Sequence, residues 1–412
     1  MNRSTFRELR SRPGYGRLYA AALLGRLANE MLPVSVVLLV LARTGDATLA
    51  GFVVAAATLP SLVSGPLLGA WLDRSHRRIA MLAADQVLTV TALTGLCLAA
   101  GHAPDWTLPL IVVPAGVTYP LAAGGFTSLL PSVVGERLRL DANALEATNF
   151  HMAVVAGPAL AGAIGAASPL AAVLTQLGLK AAALVCTLRL RDSRPAAARG
   201  GGSILATARA GIHQVLVAPP LLAVTVAGAL SLGGRGLLVI GFPFWAADEL
   251  GKGHSFAGWL WAAFAAGSIA GALGLVRFQR RSRPERMAIA GIAASGVVML
   301  AWPLASAPAS ALLLVASAGF VYGPGFVAQF GVRQEWAPEE LQSQVFMTAA
   351  SMKPALFALG AAFGGALIAD LGANGTLLVA AGVQFAAVAL GLGLLASRER
   401  TTAAKGARAQ PS

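Results

Sequence analysis

The stretch GAWLDRSHRR at residues 69–78 marks the junction of two long apolar runs, residues 49–72 and 79–100. Each run is long enough to cross a bilayer as a helix, since one span needs about 20 apolar residues. The junction is too short to form a domain, and it carries three arginines and one aspartate. This pattern predicts two membrane-spanning helices that are joined by a basic turn at a membrane surface.

The composition also favours a membrane protein. Of the 412 residues, 56% are hydrophobic and only 12% are charged, and the mean hydropathy is +0.70. In soluble domains about one quarter of the residues are charged. We therefore expect much of the apolar surface of this protein to contact the lipid bilayer, which is its expected partner. The net charge of +13 lies in short turns between apolar runs, without a basic groove or an aromatic platform, and we therefore expect no nucleic-acid partner.

Twelve apolar runs can be counted, and we number them as spans 1 to 12. They cover residues 18–42, 49–72, 79–100, 107–130, 144–167, 169–189, 220–246, 255–276, 287–305, 309–331, 343–369 and 373–396. The sequence therefore predicts an all-α membrane protein with twelve transmembrane helices in two pseudo-symmetric six-helix bundles. The predicted units are an N-terminal bundle (1–190), a cytoplasmic linker (191–217), a C-terminal bundle (218–397) and a cytoplasmic tail (398–412).

Charge placement predicts the orientation in the membrane. With both termini in the cytoplasm, 25 of the 31 Lys and Arg residues lie on the cytoplasmic side, and only Arg43 and Lys252 lie in external loops. Cytoplasmic loops of membrane proteins carry such an excess of positive charge. Five tryptophans near the external ends of spans are typical of an interfacial belt: Trp106, Trp245, Trp259, Trp261 and Trp302. We expect a multi-pass protein of the bacterial cytoplasmic membrane that acts as a monomer.

The two halves also resemble one another. Residues 157–162 of span 5 align with residues 360–365 of span 11, and Gly25-Arg26 of span 1 corresponds to Gly234-Arg235 of span 7. A duplicated six-helix unit places substrate and ion sites near the middle of the membrane, between the two halves.

At this point the chain resembles the major facilitator superfamily over nearly its whole length. Its conserved loop between helices 2 and 3, Gly-x-Leu-Ala-Asp-Arg-x-Gly-Arg-Arg, is matched at Gly69, Leu72, Asp73, Arg74, Arg77 and Arg78. Trp71 and His76 depart from that pattern. The resemblance implies the twelve-helix fold and a cytoplasmic gate that includes Gly69, Asp73, Arg74 and Arg77.

Two shorter motifs resemble those of twelve-helix drug/proton antiporters. Span 5 contains Gly157, Pro158 and Gly162 of the signature Gly-x-x-x-Gly-Pro-x-x-Gly-Gly, with alanine at two glycine positions. Span 1 contains Asn29-Glu30-Met31-Leu32-Pro33, which is similar to the acidic-Met-x-x-Pro pattern of their helix 1. The resemblance implies export. The alternative for span 5 is ordinary helix packing through small residues.

Ionisable side chains inside the predicted spans are candidates for function, because charge is costly in a bilayer. They are Arg26, Glu30, His151, Lys180, Arg235 and Lys353. A buried carboxyl group takes up a proton when it is desolvated and releases it beside a cation. We therefore expect Glu30 to alternate between a proton and a cationic partner, with Arg26 and His151 in the same proton-coupling site. The alternative is a permanent Arg26–Glu30 pair that only fixes span 1.

The other ionisable side chains receive separate expectations. His151 is either a proton relay or a satisfied core histidine. Arg235 and Lys353 are assigned to the substrate cavity, and their charge favours an anionic or neutral substrate. Lys180 is expected to have a structural role, either packing within the protein or reaching towards the membrane surface. Asp85, near the cytoplasmic end of span 3, is expected to pair with arginines of the adjoining loop and to join the gate.

Motifs for other energy sources and chemistries do not occur in the sequence. It has no phosphate-binding Gly-x-x-x-x-Gly-Lys-Ser/Thr motif, no Cys/His spacing for a metal and no Gly-x-Ser-x-Gly elbow. We expect no cofactor, no metal and no enzymatic activity, and the proton gradient is the expected energy source. The predicted function is proton-coupled export of a small molecule by alternating access. The alternatives are uptake or facilitated diffusion on the same fold and, from another class, a non-transporting sensor or a membrane-embedded enzyme.

Overall fold

The computed structural model describes residues 8–9, 11–134, 138–190, 204–274, 283–337 and 342–408. Every regular element in these ranges is a helix. A helix pairs its backbone donors and acceptors internally, which is why apolar chains cross lipid in this form. The predicted all-α membrane fold is confirmed.

The N-terminal half contains spans 1 to 6 in the predicted order. They are Tyr15–Thr44 (span 1), Ala47–Ala56 with Ser61–Arg74 (span 2), Arg78–Ala99 (span 3), Thr107–Gly124 (span 4), Arg139–Ala167 (span 5) and Pro169–Leu188 (span 6). Span 2 is interrupted just before Ser61, because Pro60 supplies no backbone donor and disfavours a helical residue before it. In span 4 the α-helix changes at Gly124 into the 3-10 helix Gly125–Leu129, which the short α-helix Leu130–Val134 follows directly.

The C-terminal half contains the remaining spans. They are Pro219–Phe244 (span 7), Ala257–Gly274 (span 8), Pro284–Met299 (span 9), Pro308–Trp336 (span 10) and, within Gln342–Arg408, spans 11 and 12. The last two helices meet at Gly372, whose φ of 68° is readily adopted by glycine. The predicted linker contains the helix Ile204–Val217, whereas its residues 191–203 lie outside the described ranges. The boundaries of the predicted domains stay predictions.

The number of spans is close to the prediction. Ten helices in the described part of the chain are long and apolar enough to cross a membrane, and Thr107–Ala122 is a shorter apolar helix. One of the ten, Met352–Ala396, includes both spans 11 and 12. A multi-pass membrane protein is therefore supported, although the count of twelve is not exactly confirmed.

Polar residues and prolines at the helix starts explain several of these boundaries. The Asp46 side chain accepts a hydrogen bond from the backbone N–H of Leu49 at 2.9 Å and caps span 2. Ser168 caps span 6 in the same way, with proline as the first helical residue. Proline also begins spans 7, 9 and 10, where its missing donor is not needed by the helix.

The two halves touch closely at one end of the bundle. Gly162 of span 5 lies against the backbone of Gly258 at the start of span 8, and Gly51 of span 2 lies against Ala361 of span 11. Helices approach this closely only where one partner has no side chain. Both crossings lie at the end that carries the loop between spans 1 and 2, the predicted external end. That end is closed in this structure.

Three tryptophans depart from the predicted interfacial belt, and one of them, Trp261, is only 8% exposed. Trp245 and Trp302 are fully buried, their ring centroids are 6.3 Å apart, and the ring of Phe242 packs 5.4 Å from that of Trp302. They form an internal aromatic cluster in the C-terminal half, because neighbouring spans cover them. Trp106 is 70% exposed and Trp259 is 50% exposed, as residues of a belt should be.

Candidate functional site

Arg26 is the centre of a buried polar cluster in the N-terminal half. It is 2% exposed, and its Nη2 lies 2.6 Å from Oε1 of Glu146 on span 5. Its Nη1 donates to Oδ1 of Asn149 at 3.2 Å, and its Nε donates to the carbonyl oxygen of Ala122 at 3.2 Å. The charge of this arginine is therefore neutralised by a carboxylate, and its donors are satisfied by spans 4 and 5.

The predicted alternative of a permanent Arg26–Glu30 pair is wrong. Arg26 pairs with Glu146 instead, and one oxygen of Glu30 accepts a hydrogen bond from the Tyr119 hydroxyl at 3.1 Å. An arginine that precedes a glutamate by four residues has the weaker order for a pair on one helix, and span 5 offers a better partner. Among the described ion pairs, none includes Glu30.

Glu30 faces a narrow cavity between spans 1, 4 and 5. The cavity is lined by Arg26, Asn29, Glu30, Tyr119, Phe150, Ala153 and Val154. Its wall combines one carboxyl group, one carboxamide, one neutralised guanidinium, one phenol and apolar atoms. A carboxyl group in such a partly enclosed position changes its protonation when its solvation changes. His151 lies on the same helix as Phe150, but its side chain lies outside what the structure describes.

Two residues of the span 5 motif connect this cavity with the interface of the halves. A Cβ built on Gly157 would lie 2.9 Å from the carbonyl carbon of Glu30 and closer still to its Cβ, so this glycine permits spans 1 and 5 to touch at the carboxyl group. Gly162, five residues later, contacts Gly258 of the other half. Pro158 lies between them, inside the helix Arg139–Ala167.

Arg235 of span 7 lies in an aromatic environment. Its guanidinium carbon is 3.7 Å from the ring centroid of Tyr322 and 5.3 Å from that of Phe264. One nitrogen, Nη2, donates to Oγ of Ser231 at 3.2 Å, and Ser231 in turn donates to Oε1 of Gln384 at 2.6 Å. The contacts are favourable for a cation but leave its charge in place, since no carboxylate of the described residues forms an ion pair with it.

Lys353 of span 11 has a neutral partner as well. Its Nζ donates to Oε1 of Gln329 on span 10 at 2.7 Å and lies 5.7 Å from the ring centroid of Phe326. The described ion pairs do not include this lysine. Arg333, which lies beyond the predicted end of span 10 at residue 331, is a helical residue with 3% exposure and lies 5.2 Å from the ring centroid of Phe330.

The charged residues assigned to proton coupling and to the substrate do not share one cavity in the described part of the chain. The described cavity belongs to the N-terminal half, whereas Arg235 and Lys353 lie among aromatic side chains of the C-terminal half. Phe150 of the cavity wall and Phe330 of the C-terminal half are in contact, and their ring centroids are 6.4 Å apart. Each half therefore has its own polar centre, with an aromatic contact between them.

Asp85 does not pair with the arginines of the loop between spans 2 and 3, and that prediction is wrong. Its carboxylate lies 2.9 Å from Nζ of Lys180 on span 6. Both side chains are almost completely buried, so Lys180 does not extend to the membrane surface. The pair joins spans 3 and 6 inside the N-terminal half, because a buried lysine needs a counter-charge more than an exposed loop arginine does.

The predicted gate motif forms the turn between spans 2 and 3. Arg78 is buried, and its Nε donates to the carbonyl oxygen of Leu72 at 3.0 Å, which closes the turn. Arg77 is exposed, and Gly69 lies in the helix Ser61–Arg74. The side chains of Asp73 and Arg74, which the same prediction includes, lie outside what the structure describes.

Several residues of these polar centres were not among the sequence candidates. They include Tyr119, Glu146, Asn149, Ser231, Gln329, Arg333 and Gln384. Glu146 lies inside the predicted span 5, so its position in the sequence was sufficient to identify it as an intramembrane carboxylate. The others required knowledge of which spans are neighbours.

Comparison with known proteins places the chain in a family. The family model described as Major Facilitator Superfamily matches residues 18–245 and 224–411. An uncharacterized MFS-type transporter, y4rN of Sinorhizobium fredii (strain NBRC 101917 / NGR234), is 30% identical over 379 residues, which are 89% of this chain and 91% of the relative. The multidrug efflux pump Tap of Mycolicibacterium fortuitum is 28% identical over 375 residues, which are 87% and 90% of the two chains.

Solved structures share the fold at low sequence identity. The nucleoside transporter NupG superposes with a TM-score of 0.69 at 14% identity, over 92% of this chain and 98% of that one. The D-xylose-proton symporter gives 0.65 at 17% identity, over 92% and 96%. A bacterial homologue of the human lysosomal transporter Spinster, in an inward-facing and unoccupied conformation, gives 0.71 at 15% identity, over 94% and 98%.

Proposed function

Because the chain belongs to the Major Facilitator Superfamily, we propose that it exports a small molecule across a bacterial cytoplasmic membrane in exchange for protons. It is a multi-pass membrane transporter of that superfamily. Proton coupling and outward direction are the parts that we propose. The position of Glu30 is the observation that carries proton coupling.

Glu30 has the chemistry of a proton carrier. It is the carboxyl group of the cavity that has a neutral hydrogen-bond partner, Tyr119, and no ion pair among the described residues. The nearest cation on its own helix, Arg26, is held by Glu146 at 2.6 Å. A carboxyl group without a fixed counter-charge changes its protonation when its solvation changes. A permanently paired carboxylate would not.

The packing of span 5 offers a way to couple that protonation to transport. Gly157 contacts Glu30, and Gly162 contacts Gly258 of the other half. The two glycines are five residues apart, about 7.5 Å along the helix. When the halves rock to open the closed end, span 5 moves with the interface and changes the surroundings of Glu30. In this proposal, proton release to one side and substrate release to the other follow the same rocking motion.

The outward direction rests on two likenesses. The motif around Gly157, Pro158 and Gly162 resembles that of antiporters, and one relative is a multidrug efflux pump. The exposed Arg77, with Asp73 and Arg74, is proposed to form the cytoplasmic gate that closes when the external end opens. The termini are proposed to be cytoplasmic, in agreement with the distribution of positive charge.

Transport in everted membrane vesicles tests the proposal. The interior of such vesicles corresponds to the external side, and an acidic interior drives an exporter to accumulate its substrate. Two radiolabelled probes are used separately, the anion 2-naphthalenesulfonate and the cation ethidium. We expect one of them to accumulate only when the interior is acidic and only when the protein is present. Accumulation with an acidic exterior, or equal flux without a gradient, contradicts proton-coupled export and favours uptake or facilitated diffusion.

A bound but immobile probe also contradicts the proposal. If a probe binds the purified protein and crosses the membrane under neither gradient, the chain is a non-transporting sensor. Vesicles that carry the Gly178→Ala variant are the matched positive control, because a Cβ at Gly178 has no neighbouring heavy atom within 4 Å.

A further inference from the structure

We propose that the C-terminal half binds an organic anion with an aromatic body, between Lys353 with Gln329 at one end and Arg235 at the other. The inference rests on the proposed transport function and names the substrate class. It concerns binding, so it can be tested without a proton gradient.

The two halves differ in how they neutralise buried cations. In the N-terminal half, Arg26 lies 2.6 Å from Glu146, and Lys180 lies 2.9 Å from Asp85. In the C-terminal half, Arg235 and Lys353 have neutral partners and no ion pair among the described residues. A cation within a membrane protein needs a counter-charge, because desolvation is costly. An anionic substrate supplies that charge for the time it is bound.

Gln329 adds a donor that has no partner in the described structure. Lysine only donates hydrogen bonds, so the amide oxygen of Gln329 must face Lys353, at 2.7 Å. The side chain is 1% exposed, and its amide nitrogen Nε2 makes no hydrogen bond. A buried donor of this kind is costly when left unsatisfied. One anionic oxygen between Nε2 of Gln329 and Nζ of Lys353 satisfies both groups.

Span 7 is shaped to permit this arrangement. A Cβ on Gly228 would lie 2.7 Å from Oε1 of Gln329 and 3.4 Å from Cε of Lys353, so the absence of a side chain leaves room for the pair. Arg235 lies seven residues further along the same helix, on the same face and about 10 Å away along the axis. The two cations are therefore at the two ends of one elongated site.

Aromatic rings lie between Arg235 and Lys353. Tyr322 and Phe326 are four residues apart on span 10, and their ring centroids are 5.8 Å apart. The guanidinium of Arg235 lies over Tyr322, and Nζ of Lys353 lies 5.7 Å from the centroid of Phe326. A flat aromatic body packs well against such rings, while its anionic group contacts a cation at the end. The geometry therefore favours an aromatic anion over an inorganic one.

Equilibrium binding to the purified protein in lipid nanodiscs is the test. Four probes are compared by titration calorimetry: 2-naphthalenesulfonate, its neutral sulfonamide, the cation 2-naphthylmethylammonium, and methanesulfonate, which has no aromatic body. We expect 2-naphthalenesulfonate to bind at least about 10-fold more tightly than each of the others. Absence of sulfonate binding, or equal binding of the sulfonamide or the cation, overturns the proposal.

Variants identify the site. Lys353→Gln is expected to weaken sulfonate binding by about 10- to 100-fold, and Lys353→Arg to retain most of the affinity. Lys252→Gln is the matched control, because this lysine is exposed in the loop between spans 7 and 8 and its loss should leave the affinity unchanged. Unchanged affinity in both Lys353→Gln and Gln329→Leu overturns the proposed position. The comparison of probes on the unmodified protein decides the substrate class even if a variant fails to fold.

The result also separates this inference from the proposed function. Gly178→Ala lies in the other half, outside both proposed sites, and is expected to bind the sulfonate as the unmodified protein does. Sulfonate binding without proton-driven export would refute the proposed function and leave the anion site intact. Export of ethidium without sulfonate binding would do the reverse.

Discussion

Alanine in place of Gly258 is expected to open the closed end of the transporter. A Cβ built on Gly258 would lie 2.5 Å from Cα of Gly162 and closer still to its carbonyl oxygen. Carbon atoms in ordinary contact are about 3.5 Å apart or more, so spans 5 and 8 must separate by at least about 1 Å. Overpacking of this kind costs about 1–3 kcal/mol, which shifts the balance between closed and open external ends by about 5- to 150-fold.

Spin-label distance measurements detect this shift. Labels at His102→Cys and Ser306→Cys report on exposed residues of the two halves at that end, in a background that lacks the two native cysteines. Gly258→Ala should add a population with a longer distance and should reduce transport. Gly178→Ala should change neither, since its Cβ meets no neighbour within 4 Å. A Gly258→Ala distance distribution identical to that of the unmodified protein refutes the reasoning.

Two further predictions concern the buried ion pairs. Lys180→Met leaves the carboxylate of Asp85 buried and unpaired, so it should lower the free energy of unfolding by about 3–5 kcal/mol in denaturant titrations. The double variant with Asp85→Leu should regain most of that loss. A double variant no more stable than the single one would argue against the pair. Glu146→Gln removes the carboxylate that holds Arg26 and should allow Arg26 to pair with Glu30. That pair would abolish proton-driven transport, while energy-independent exchange of the probe persists. Retention of proton-driven transport would show that Arg26 does not pair with Glu30 in this variant.

The membrane fold could be predicted from local properties of the sequence. The features that predict it can each be read from a short stretch of sequence. They are the length of the spans, the basic turn at residues 69–78 and the positions of proline and glycine. The last boundary is an example, because the gap expected between residues 369 and 373 coincides with the junction at Gly372. The break before Ser61 in span 2 was missed, since a single proline within an apolar run does not reveal whether the helix continues.

The partners of the buried charges could not be predicted in the same way. Arg26 and Glu30 are neighbours on one helix, and the sequence offers no reason to prefer Glu146, which is 120 residues away. Asp85 and Lys180 are likewise 95 residues apart. Such pairs depend on which spans are adjacent and on how deeply each residue lies. Arg333 fell outside the predicted span 10 because helix ends in an apolar chain are uncertain by several residues.

Proton-driven transport by Glu30→Gln tests the central claim most directly. The variant keeps the shape of the side chain and its contact with Tyr119 but removes its capacity to carry a proton. In reconstituted vesicles it should lose accumulation driven by the pH gradient and retain exchange of the same probe across the membrane at equal pH. Glu249→Gln, an exposed glutamate at the external end, should behave as the unmodified protein. Full accumulation by Glu30→Gln under the pH gradient would contradict the account.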